Sequence, residues 1–477
     1  MMAIRRITFD RFDLGIDHRK AASVSDANRL LDMTNAHVTT GRATEKRYGL
    51  SHVTTLEPGT AGLSFALGKL NTFYAGNTPI AHAHPLFVAN RVTGDINQPI
   101  AKVWFCDVFN NFVYVAVEYA DGEVRHHYLD GSTPTQIADT LCPHTKALVK
   151  AASKVFAVGV NGDVVRYCAT GDCRDWSTPE DAGFLPTGLN AAGDRVANAL
   201  GMYGQRMVVL SRDAAQIWVV DPDPTAMKLD DVVANVGSSF PESLATVSGD
   251  LYFLSDYGFR SITTRQFVTS LADVDIGSPV DEMVRRAIRG RVSSPVATFD
   301  YGGGRYLCAI GKEIFVYAVS QTSKIAAWSR YELPIAIDAW ASLDGALYIR
   351  SGDTVYRLDE EATADELFNA ETGVWERVPF PVRVQLPYMD FKAPGELKHI
   401  VGLDLVVDGE CRVSVGYDET NARCATSPVR VIGNTRPGGV LPIECVGTAF
   451  SFILTNRAAG VFRLNAITAY YETMGAL

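Results

Sequence analysis

The sequence predicts an all-β protein whose main body is an irregular β-propeller of six to seven blades, flanked by an N-terminal arm and a C-terminal β-sandwich module. Two observations carry this prediction. A short β-unit recurs about seven times between Leu67 and Leu358. In addition, aromatic residues make up 10% of the chain and glycine occurs 40 times in 477 residues, a composition that favours strands joined by many turns.

Each repeat has a turn residue, a burst of apolar or aromatic residues, a second turn and another short burst. Gly249–Ser255 and Gly345–Ser351 are its clearest copies. Consecutive anchor residues are separated by 41, 42, 52, 44, 54 and 42 residues, the anchors being Phe73, Tyr114, Phe156, Val208, Tyr252, Tyr306 and Tyr348. Because a four-stranded blade takes about 40–50 residues, the spacing predicts one blade per repeat.

The first and last repeats divide the chain into three predicted segments. Residues 1–60 lack the repeat and are predicted to form an arm or platform segment, and residues 61–377 are predicted to form the propeller. In residues 378–477, short alternating runs are separated by Pro, Gly and Asp turns. This pattern predicts a β-sandwich or platform module.

Two segments inside the propeller region interrupt the repeats. Residues 278–290 predict a helical insertion, with Ser278 as N-cap, Pro279 at the first position and Gly290 beyond the last turn. Its predicted apolar stripe consists of Val280, Met283, Val284, Ala287 and Ile288. Residues 360–370 predict a weaker acidic helix or a linker.

The net charge of −10 is concentrated in the repeats. Residues 1–60 hold nine Lys or Arg against seven Asp or Glu, and residues 378–477 hold nine of each, so the segment between them has 26 basic and 38 acidic residues. A body of that sign repels nucleic-acid phosphates at short range. Ordinary surface solubility explains the same balance equally well.

The start of the chain and the cysteines both indicate a cytoplasmic origin. Met1–Ile7 has no apolar stretch ahead of a small-residue cleavage site, so we expect no signal peptide. No apolar run approaches the roughly 18–20 residues that a membrane helix needs. The eight cysteines have no CxxC or paired Cys/His spacing, so we expect buried free thiols rather than disulfides or a metal site.

We find no catalytic constellation in the sequence. His82 and His84 lie on the same face of an extended segment but have no identifiable third ligand, and His126 and His127 are expected on opposite faces of a strand. Gly302–Gly304 is predicted to be a turn, and phosphate-loop, GxSxG and sialidase-type motifs are missing from the sequence. We therefore expect a protein that is not an enzyme and that has no catalytic residues, no cofactor and no metal.

A resemblance to a known family rests mainly on the arm, which carries the pattern Asn35-x-x-Val38-x-x-x-Gly41-x-x-x-x-Lys46-Arg47-x-Gly49. With the propeller and β-module that follow, it resembles the tail nozzle proteins of short-tailed bacteriophages, including the packaged-DNA stabilisation hub of the Salmonella phage P22 type. Gly201–Val220 is similar to the mid-propeller element of that family, and Ile7–Gly15 to its opening segment.

The resemblance implies a structural virion protein, assembled in the host bacterial cytoplasm as a homo-hexameric ring below the adaptor ring of the head-to-tail connector. Genomic DNA would be retained and then ejected through the lumen without specific binding. Tail fibres or tailspikes would dock around the ring, and a needle or plug would close it. Assembly contacts are expected at residues of the arm pattern, namely Asn35, Gly41, Lys46, Arg47 and Gly49.

Two alternatives remain open from the sequence. A glycan-binding propeller adhesin or depolymerase would need an axial pocket rich in Arg, Trp and carboxylates. Of the six tryptophans, Trp218 and Trp340 stand among apolar residues and are expected to pack inside blades. A distal tail or baseplate ring protein of a long-tailed phage is the second alternative, because it shares ring assembly without requiring a propeller.

Overall fold

A computed structural model describes residues 4–23, 26–94, 96, 98–130, 133–263, 275–421, 423–435 and 440–476. Within these ranges nearly every regular element is a β-strand. The arm contains seven strands: β1 (Arg5–Phe9), β2 (Gly15–Ile16), β3 (Arg29–Leu30), β4 (Asp32–Thr34), β5 (Ala36–Val38), β6 (Thr44–Lys46) and β7 (Gly49–Thr55).

The blades follow in chain order. Blade 1 consists of β8 (Ala61–Ala66), β9 (Lys69–Tyr74) and β10 (Phe87–Arg91), and blade 2 of β11 (Ile100–Phe109), β12 (Phe112–Tyr119), β13 (Val124–Asp130) and β14 (Thr133–Gln136). Blade 3 consists of β15 (Leu148–Ala151), β16 (Lys154–Val158), β17 (Val165–Tyr167) and β18 (Gly183–Leu185). Blade 4 consists of β19 (Ala199–Tyr203), β20 (Arg206–Leu210), β21 (Ala214–Val219) and β22 (Lys228–Ala234). Short 3-10 turns lie at Thr187–Asn190, Pro224–Ala226 and Pro241–Ser243.

Blades 5 to 7 complete the ring. Blade 5 consists of β23 (Ala245–Val247), β24 (Asp250–Ser255) and β25 (Gly258–Ser261). Blade 6 consists of β26 (Val296–Asp300), β27 (Arg305–Ile310), β28 (Glu313–Ser320) and β29 (Ile325–Glu332). Blade 7 consists of β30 (Ala339–Leu343), β31 (Ala346–Ser351) and β32 (Thr354–Asp359) together with β7. The first strand of each blade contacts the next blade, and β30 contacts β8, so the ring is closed.

The predicted propeller is confirmed. In the described residues six blades are separate sheets, and the meander β26–β29 fills the remaining position as one edge of a sixteen-stranded sheet. All seven sequence anchors lie in the second strand of their blade. The buried aromatic rings of Phe73, Tyr114, Phe156 and Tyr306 show why the repeat is visible in the sequence: these positions pack between neighbouring blades.

The last blade is closed by the arm. Strand β7 pairs antiparallel with β32, with Thr55 opposite Thr354 and Gly49 opposite Asp359. Residues 49–55, which the sequence places in the arm, are therefore the outer strand of blade 7. Pairing strands from distant parts of the chain in one blade ties the two ends of the ring together through backbone hydrogen bonds.

After the ring come β33 (Asp365–Asn369) and β34 (Val374–Val378), and then the C-terminal strands β35 (Val382–Gln385), β36 (Glu396–Gly416), β37 (Val429–Ile432), β38 (Cys445–Gly447), β39 (Ser451–Asn456) and β40 (Phe462–Ala476). We call the sheet formed by β35–β40 with arm strands β1 and β4–β6 the platform. Its two longest strands, β36 and β40, pair from Glu396 opposite Ala476 to Gly409 opposite Phe462. Strand β1 pairs with β40, placing Arg5 opposite Tyr471.

Propeller and platform share both hydrogen bonds and a hydrophobic core. Blade 6 is joined to the platform through Arg330 in β29 and Thr34 in β4. Gly15 of β2 lies against the same strand with a φ of +59°, and a Cβ there would lie 2.3 Å from the carbonyl oxygen of Trp328. Only glycine fits this contact. One continuous core includes Trp328 of blade 6 and Phe452 of the platform.

Two predictions about the interruptions need correction. The predicted helix is α1 (Asp281–Gly290), and its stripe packs on the shared core, but it begins later than expected with Val280 at the N-cap. The hydroxyl of Ser278 donates instead to the carbonyl oxygen of Asp275, 2.9 Å away. The predicted acidic helix or linker at residues 360–370 contains β33, because Asp365 pairs with Val378 in a β-hairpin.

Candidate functional site

Asn35, the first residue of the arm pattern, connects three parts of the chain. Its backbone has a φ of +54°, a conformation that asparagine tolerates better than most residues. The side-chain amide donates to the carbonyl oxygen of Pro381 at 2.8 Å. Its oxygen accepts the backbone N–H of Glu332 at 2.8 Å and the Nε of Arg47 at 3.0 Å. Arm, blade 6 and platform therefore meet at one buried side chain.

Arg47 is the centre of this junction. Its guanidinium donates Nη1 to Oδ1 of Asp365 at 2.8 Å and Nη2 to Oδ2 at 2.6 Å, and it lies 3.5 Å from the centre of the Phe380 ring. Only 1% of Arg47 is exposed. The backbone N–H of Leu50 adds a third bond to Asp365 at 3.0 Å. Bidentate pairing and stacking are the geometry for which arginine is suited and lysine is not.

The neighbouring Lys46 is buried as well. Its Nζ donates to the carbonyl oxygen of Ala458 at 2.8 Å and lies 4.4 Å from the Phe380 ring centre. Burial, with a further contribution from the charge of Arg47, lowers the pKa of Lys46 to about 8. This side chain anchors the arm to the platform loop before β40.

The last position of the pattern shows how closely the chain packs here. A Cβ on Gly49 would lie 2.2 Å from the carbonyl oxygen of Ala364, and its N–H donates to the carbonyl oxygen of Ala362 at 2.6 Å. Gly41, in contrast, is exposed in the turn between β5 and β6.

The expectation that these residues make intermolecular assembly contacts therefore needs correction for four of the five. The side chains of Asn35, Lys46 and Arg47 and the backbone of Gly49 are buried inside this chain. They join arm, propeller and platform, so they are closed to a second protein. Gly41 remains at the surface. The sequence pattern marked a structural junction, which sequence alone could not separate from an interface.

A second polar cluster, missed by sequence reasoning, extends from this junction into blade 6. Arg305 donates to Oδ2 of Asp300 at 2.7 Å and lies 2.9 Å from Nε2 of His37, whose Nδ1 is 3.0 Å from the hydroxyl of Tyr331. Burial, and then the charge of Arg305, lowers the pKa of His37. A neutral imidazole here links the arm to blade 6.

The centre of the propeller ring holds a third polar cluster. One cavity of about 590 Å³ is bounded by segments of blades 1, 2, 6 and 7, and a second of about 240 Å³ by segments of blades 2 to 5. Trp104, on the first strand of blade 2, lines both. We call this region the axial site.

Charged groups surround Trp104 in the axial site. Its indole Nε1 donates to Oε2 of Glu118 at 2.7 Å, and Lys146 binds the other carboxylate oxygen at 2.7 Å. The Nζ atoms of Lys102 and Lys146 lie 4.3 and 4.8 Å from the ring centre, within cation–π range. The sequence showed these residues but not that separate blades bring them together.

An ion pair crosses the axial site from one side of the ring to the other. Lys102 in blade 2 pairs with Glu242, which precedes blade 5. Burial raises the pKa of Glu242 to about 7, and the opposing effect of Lys102 only partly offsets it. A carboxyl group with this pKa exchanges a proton near neutral pH, as binding and catalytic carboxyl groups often do.

The four histidines singled out by the sequence, His82, His84, His126 and His127, each contact a different residue and do not form a common site. His82 lies 2.8 Å from the hydroxyl of Thr72, and Nδ1 of His84 accepts the N–H of Leu86 at 3.3 Å. His126 and His127 contact different tyrosines on opposite faces of β13, as expected. Among the described residues, one group has metal-ligand composition and spacing, and it consists of His126, Cys142 and His144.

The cysteines and two of the tryptophans are expected to be buried. All eight cysteines are free thiols, and five of them are buried. Trp218 is buried between blades 3 and 4, and Trp340 packs on the core between blades 6 and 7. Among the helices of the described residues, none combines the length and apolarity needed to cross a bilayer.

Comparisons with known proteins identify no family for this chain. No protein-family model matches the sequence, and no curated protein matches it. Among solved structures, BamB from Moraxella catarrhalis is similar at 12% identity, with a TM-score of 0.36 over 76% of this chain and 98% of that one. An exo-β-1,3-galactanase from Phanerochaete chrysosporium, solved with β-1,3-galactotriose, is similar at 12% identity, with a TM-score of 0.30 over 79% and 98% of the two chains.

Proposed function

We propose that this chain is a structural subunit of a phage tail nozzle, in which six copies form the distal part of the DNA channel. The observation that carries the proposal is the joining of propeller and platform into one hydrogen-bonded body with a shared core. A subunit that retains pressurised DNA must keep its modules in fixed relative positions. The buried Arg47–Asp365 pair and the Asn35 bridge serve that requirement.

The charge distribution supports the same proposal. The excess of acidic residues lies in residues 61–377, which form most of the propeller, and the two flanking segments that build the platform are close to neutral. An acidic body next to a DNA channel disfavours phosphate binding, so DNA can pass without being held. The near-neutral platform suits contacts with the adaptor ring and with neighbouring copies.

We further propose that the hairpin β33–β34, rather than the arm pattern, provides a contact to the neighbouring copy. Phe368 and Val374 are each 53% exposed on this two-stranded sheet, and Trp375 packs against Phe368 at 5.5 Å. Strand β34 pairs with no strand of the described residues other than β33, whereas β33 packs beside β7. Exposed apolar residues on a sheet with an open edge are suited to a protein contact.

Ring assembly tests the proposal. Mass photometry and negative-stain imaging of the purified chain, alone and mixed with the adaptor protein of the same virion, should show sixfold rings at least in the mixture. The variant Phe368→Ser should weaken assembly, whereas Phe184→Ser, whose side chain is similarly exposed on blade 3, should not. Cryo-EM of the virion tail must place the chain below the adaptor. Absence of the chain from the tail, or a ring whose lumen is lined with Lys and Arg, would refute the proposal, and density in a baseplate would favour a long-tailed phage.

The axial site favours a second candidate function, binding of a glycan by a propeller adhesin or depolymerase. An accessible tryptophan beside carboxylates and ammonium groups is the kind of surface on which a sugar ring stacks and hydrogen-bonds. Calorimetric titration with bacterial polysaccharide fragments, together with an assay for reducing ends, would test this function. Binding or cleavage that Trp104→Ala abolishes, by a chain that remains monomeric with the adaptor, would support it over the nozzle.

A further inference from the structure

We propose that His126, Cys142 and His144 form a binding site for Zn²⁺ or a similar borderline transition metal inside the propeller. The site lies between blades 2 and 3. His126 is on β13, and the other two residues are on the connection from β14 to β15. The inference does not depend on the proposed function, because a structural metal would stabilise this part of the propeller whatever the propeller does.

The distances suit a single metal ion. One ligand atom from each residue lies within 4.8 Å of the other two. The Sγ of Cys142 is 3.4 Å from Nδ1 of His126 and 3.9 Å from Nδ1 of His144. In a tetrahedral zinc site, bond lengths of about 2.3 Å to sulfur and 2.0–2.1 Å to nitrogen place S and N about 3.6 Å apart. The two observed S–N separations lie on either side of that value.

His126 has the outer contact that metal-binding histidines usually have. Its Nε2 lies 2.8 Å from the carbonyl oxygen of Thr145, which can only accept a hydrogen bond, so the proton is on Nε2. Nδ1 therefore carries a lone pair, and it lies 2.7 Å from the Tyr114 hydroxyl and 3.4 Å from the Sγ of Cys142. A second nitrogen that donates to a backbone carbonyl fixes the ring and raises its basicity as a ligand.

Cys142 and His144 approach this lone pair from a short loop with a fixed backbone. They are separated only by Pro143, whose ring restricts φ, and His144 has a φ of +48°, which is uncommon for a residue other than glycine. Such strain is often found where a backbone is held for a function. Cys142 is 4% exposed and His144 is half-buried, so the ion could enter from the His144 side.

Binding would exchange hydrogen bonds for metal bonds. Without metal, the hydroxyl of Tyr114 and the Cys142 thiol both lie within hydrogen-bond range of Nδ1 of His126, at 2.7 and 3.4 Å. Nδ1 of His144 accepts the backbone N–H of His126 at 3.1 Å, so a metal bond to this nitrogen would replace that hydrogen bond. On binding, the S–H bond of Cys142 breaks, its electron pair forms the S–metal bond, and the proton leaves to solvent. Water or the oxygen of Tyr114 would fill the fourth position, giving the Cys–His₂ donor set that Zn²⁺ accepts.

The test is metal titration of tag-free, chelator-treated full-length protein. Elemental analysis after incubation with Zn²⁺ and gel filtration should give about one zinc per chain, with release of about one proton. Co²⁺ should produce the near-ultraviolet sulfur-to-cobalt charge-transfer band, and Zn²⁺ should remove it. The band should be lost in Cys142→Ser and kept in Cys308→Ser, a matched control because Cys308 is equally buried in blade 6.

A second variant covers the case in which Cys142→Ser does not fold. His144→Ala alters a half-buried side chain, so it should fold and should weaken Zn²⁺ binding at least tenfold. The inference is overturned if the wild-type chain binds less than about a fifth of an equivalent. It is also overturned if cobalt binds without a sulfur band, or if His144→Ala binds Zn²⁺ as tightly as wild type. None of these outcomes depends on ring assembly.

Discussion

Arg47 and Asp365, 318 residues apart in the chain, form a bidentate ion pair that is closed to solvent. Removing one partner of such a pair leaves a buried charge without compensation, which costs about 3–5 kcal/mol. We therefore expect Arg47→Met to lower the free energy of unfolding by about that amount in urea titrations.

The double variant Arg47→Met/Asp365→Leu should recover a large part of the loss, because both charges are then gone. Arg430→Met, which breaks an exposed pair with Glu410, serves as the control and should leave the urea midpoint nearly unchanged. If Arg47→Met and Arg430→Met behave alike, the junction does not hold the modules together as described.

The second prediction concerns the close approach of the chain at Gly49. Gly49→Ala places a methyl group against the carbonyl oxygen of Ala364, where there is no room for it without moving backbone. Overpacking of this kind typically costs about 1–3 kcal/mol, and we expect a lower melting temperature. Gly460→Ala, where no atom lies within 4 Å of the added Cβ, should melt close to wild type.

The third prediction follows from the pKa of Glu242, raised by burial from 4.5 to about 7. Between these values the folded chain binds more protons at this site than the unfolded chain does. Its contribution to stability is therefore complete below about pH 4.5 and is lost as the pH rises through 7.

Urea unfolding between pH 5 and pH 8.5 checks this. The stability of wild type should fall with rising pH relative to Glu242→Gln, which has no proton to lose. Glu123→Gln, at an exposed position paired with Arg125, should run parallel to wild type. If the free energy of unfolding of wild type and of Glu242→Gln changes with pH in the same way, the pKa of Glu242 is not raised.

The fourth prediction concerns the thiols. Burial raises the pKa to about 12 for seven of them: Cys106, Cys142, Cys168, Cys173, Cys308, Cys411 and Cys445. Because the thiolate is the reactive form, these should react slowly with a disulfide reagent in the native chain. Cys424 should account for one rapidly reacting thiol, absent in Cys424→Ser, and denaturant should expose all eight. If several thiols of the native chain react rapidly with the reagent, the cysteines are not buried as described.

Sequence reasoning predicted the features that depend on neighbours along the chain. The blade anchors are visible because an aromatic or branched residue in the second strand of every blade packs between blades. The helical insertion is visible because apolar residues recur at helical spacing from Val280 to Ile288. Its predicted start was wrong because the helix begins after Val280, and the Ser278 hydroxyl donates to the carbonyl oxygen of Asp275 instead of accepting a helix N–H.

What sequence reasoning missed depends on partners far along the chain. Arg47 and Lys46 resemble surface residues until Asp365, Phe380 and Ala458 are brought to them. Asp365 looked like part of an acidic helix because its partner is not local. Cys142 and His144 were not singled out either, although His126 lies only 16 residues before Cys142, because no pattern in the sequence places these three side chains together. Pairing across hundreds of residues leaves no periodicity to detect.

The closure of blade 7 by strand β7 has a consequence for how the protein is made. At about 5–20 residues per second, the ribosome needs roughly 15–60 seconds to add the approximately 300 residues that separate β7 from β32. Strand β1 waits longer still, because its partner β40 is at the other end of the chain. Strands β1 and β7 must therefore remain without these partners until β40 and β32 have been synthesised. Closure of the ring and completion of the platform are therefore late events in folding.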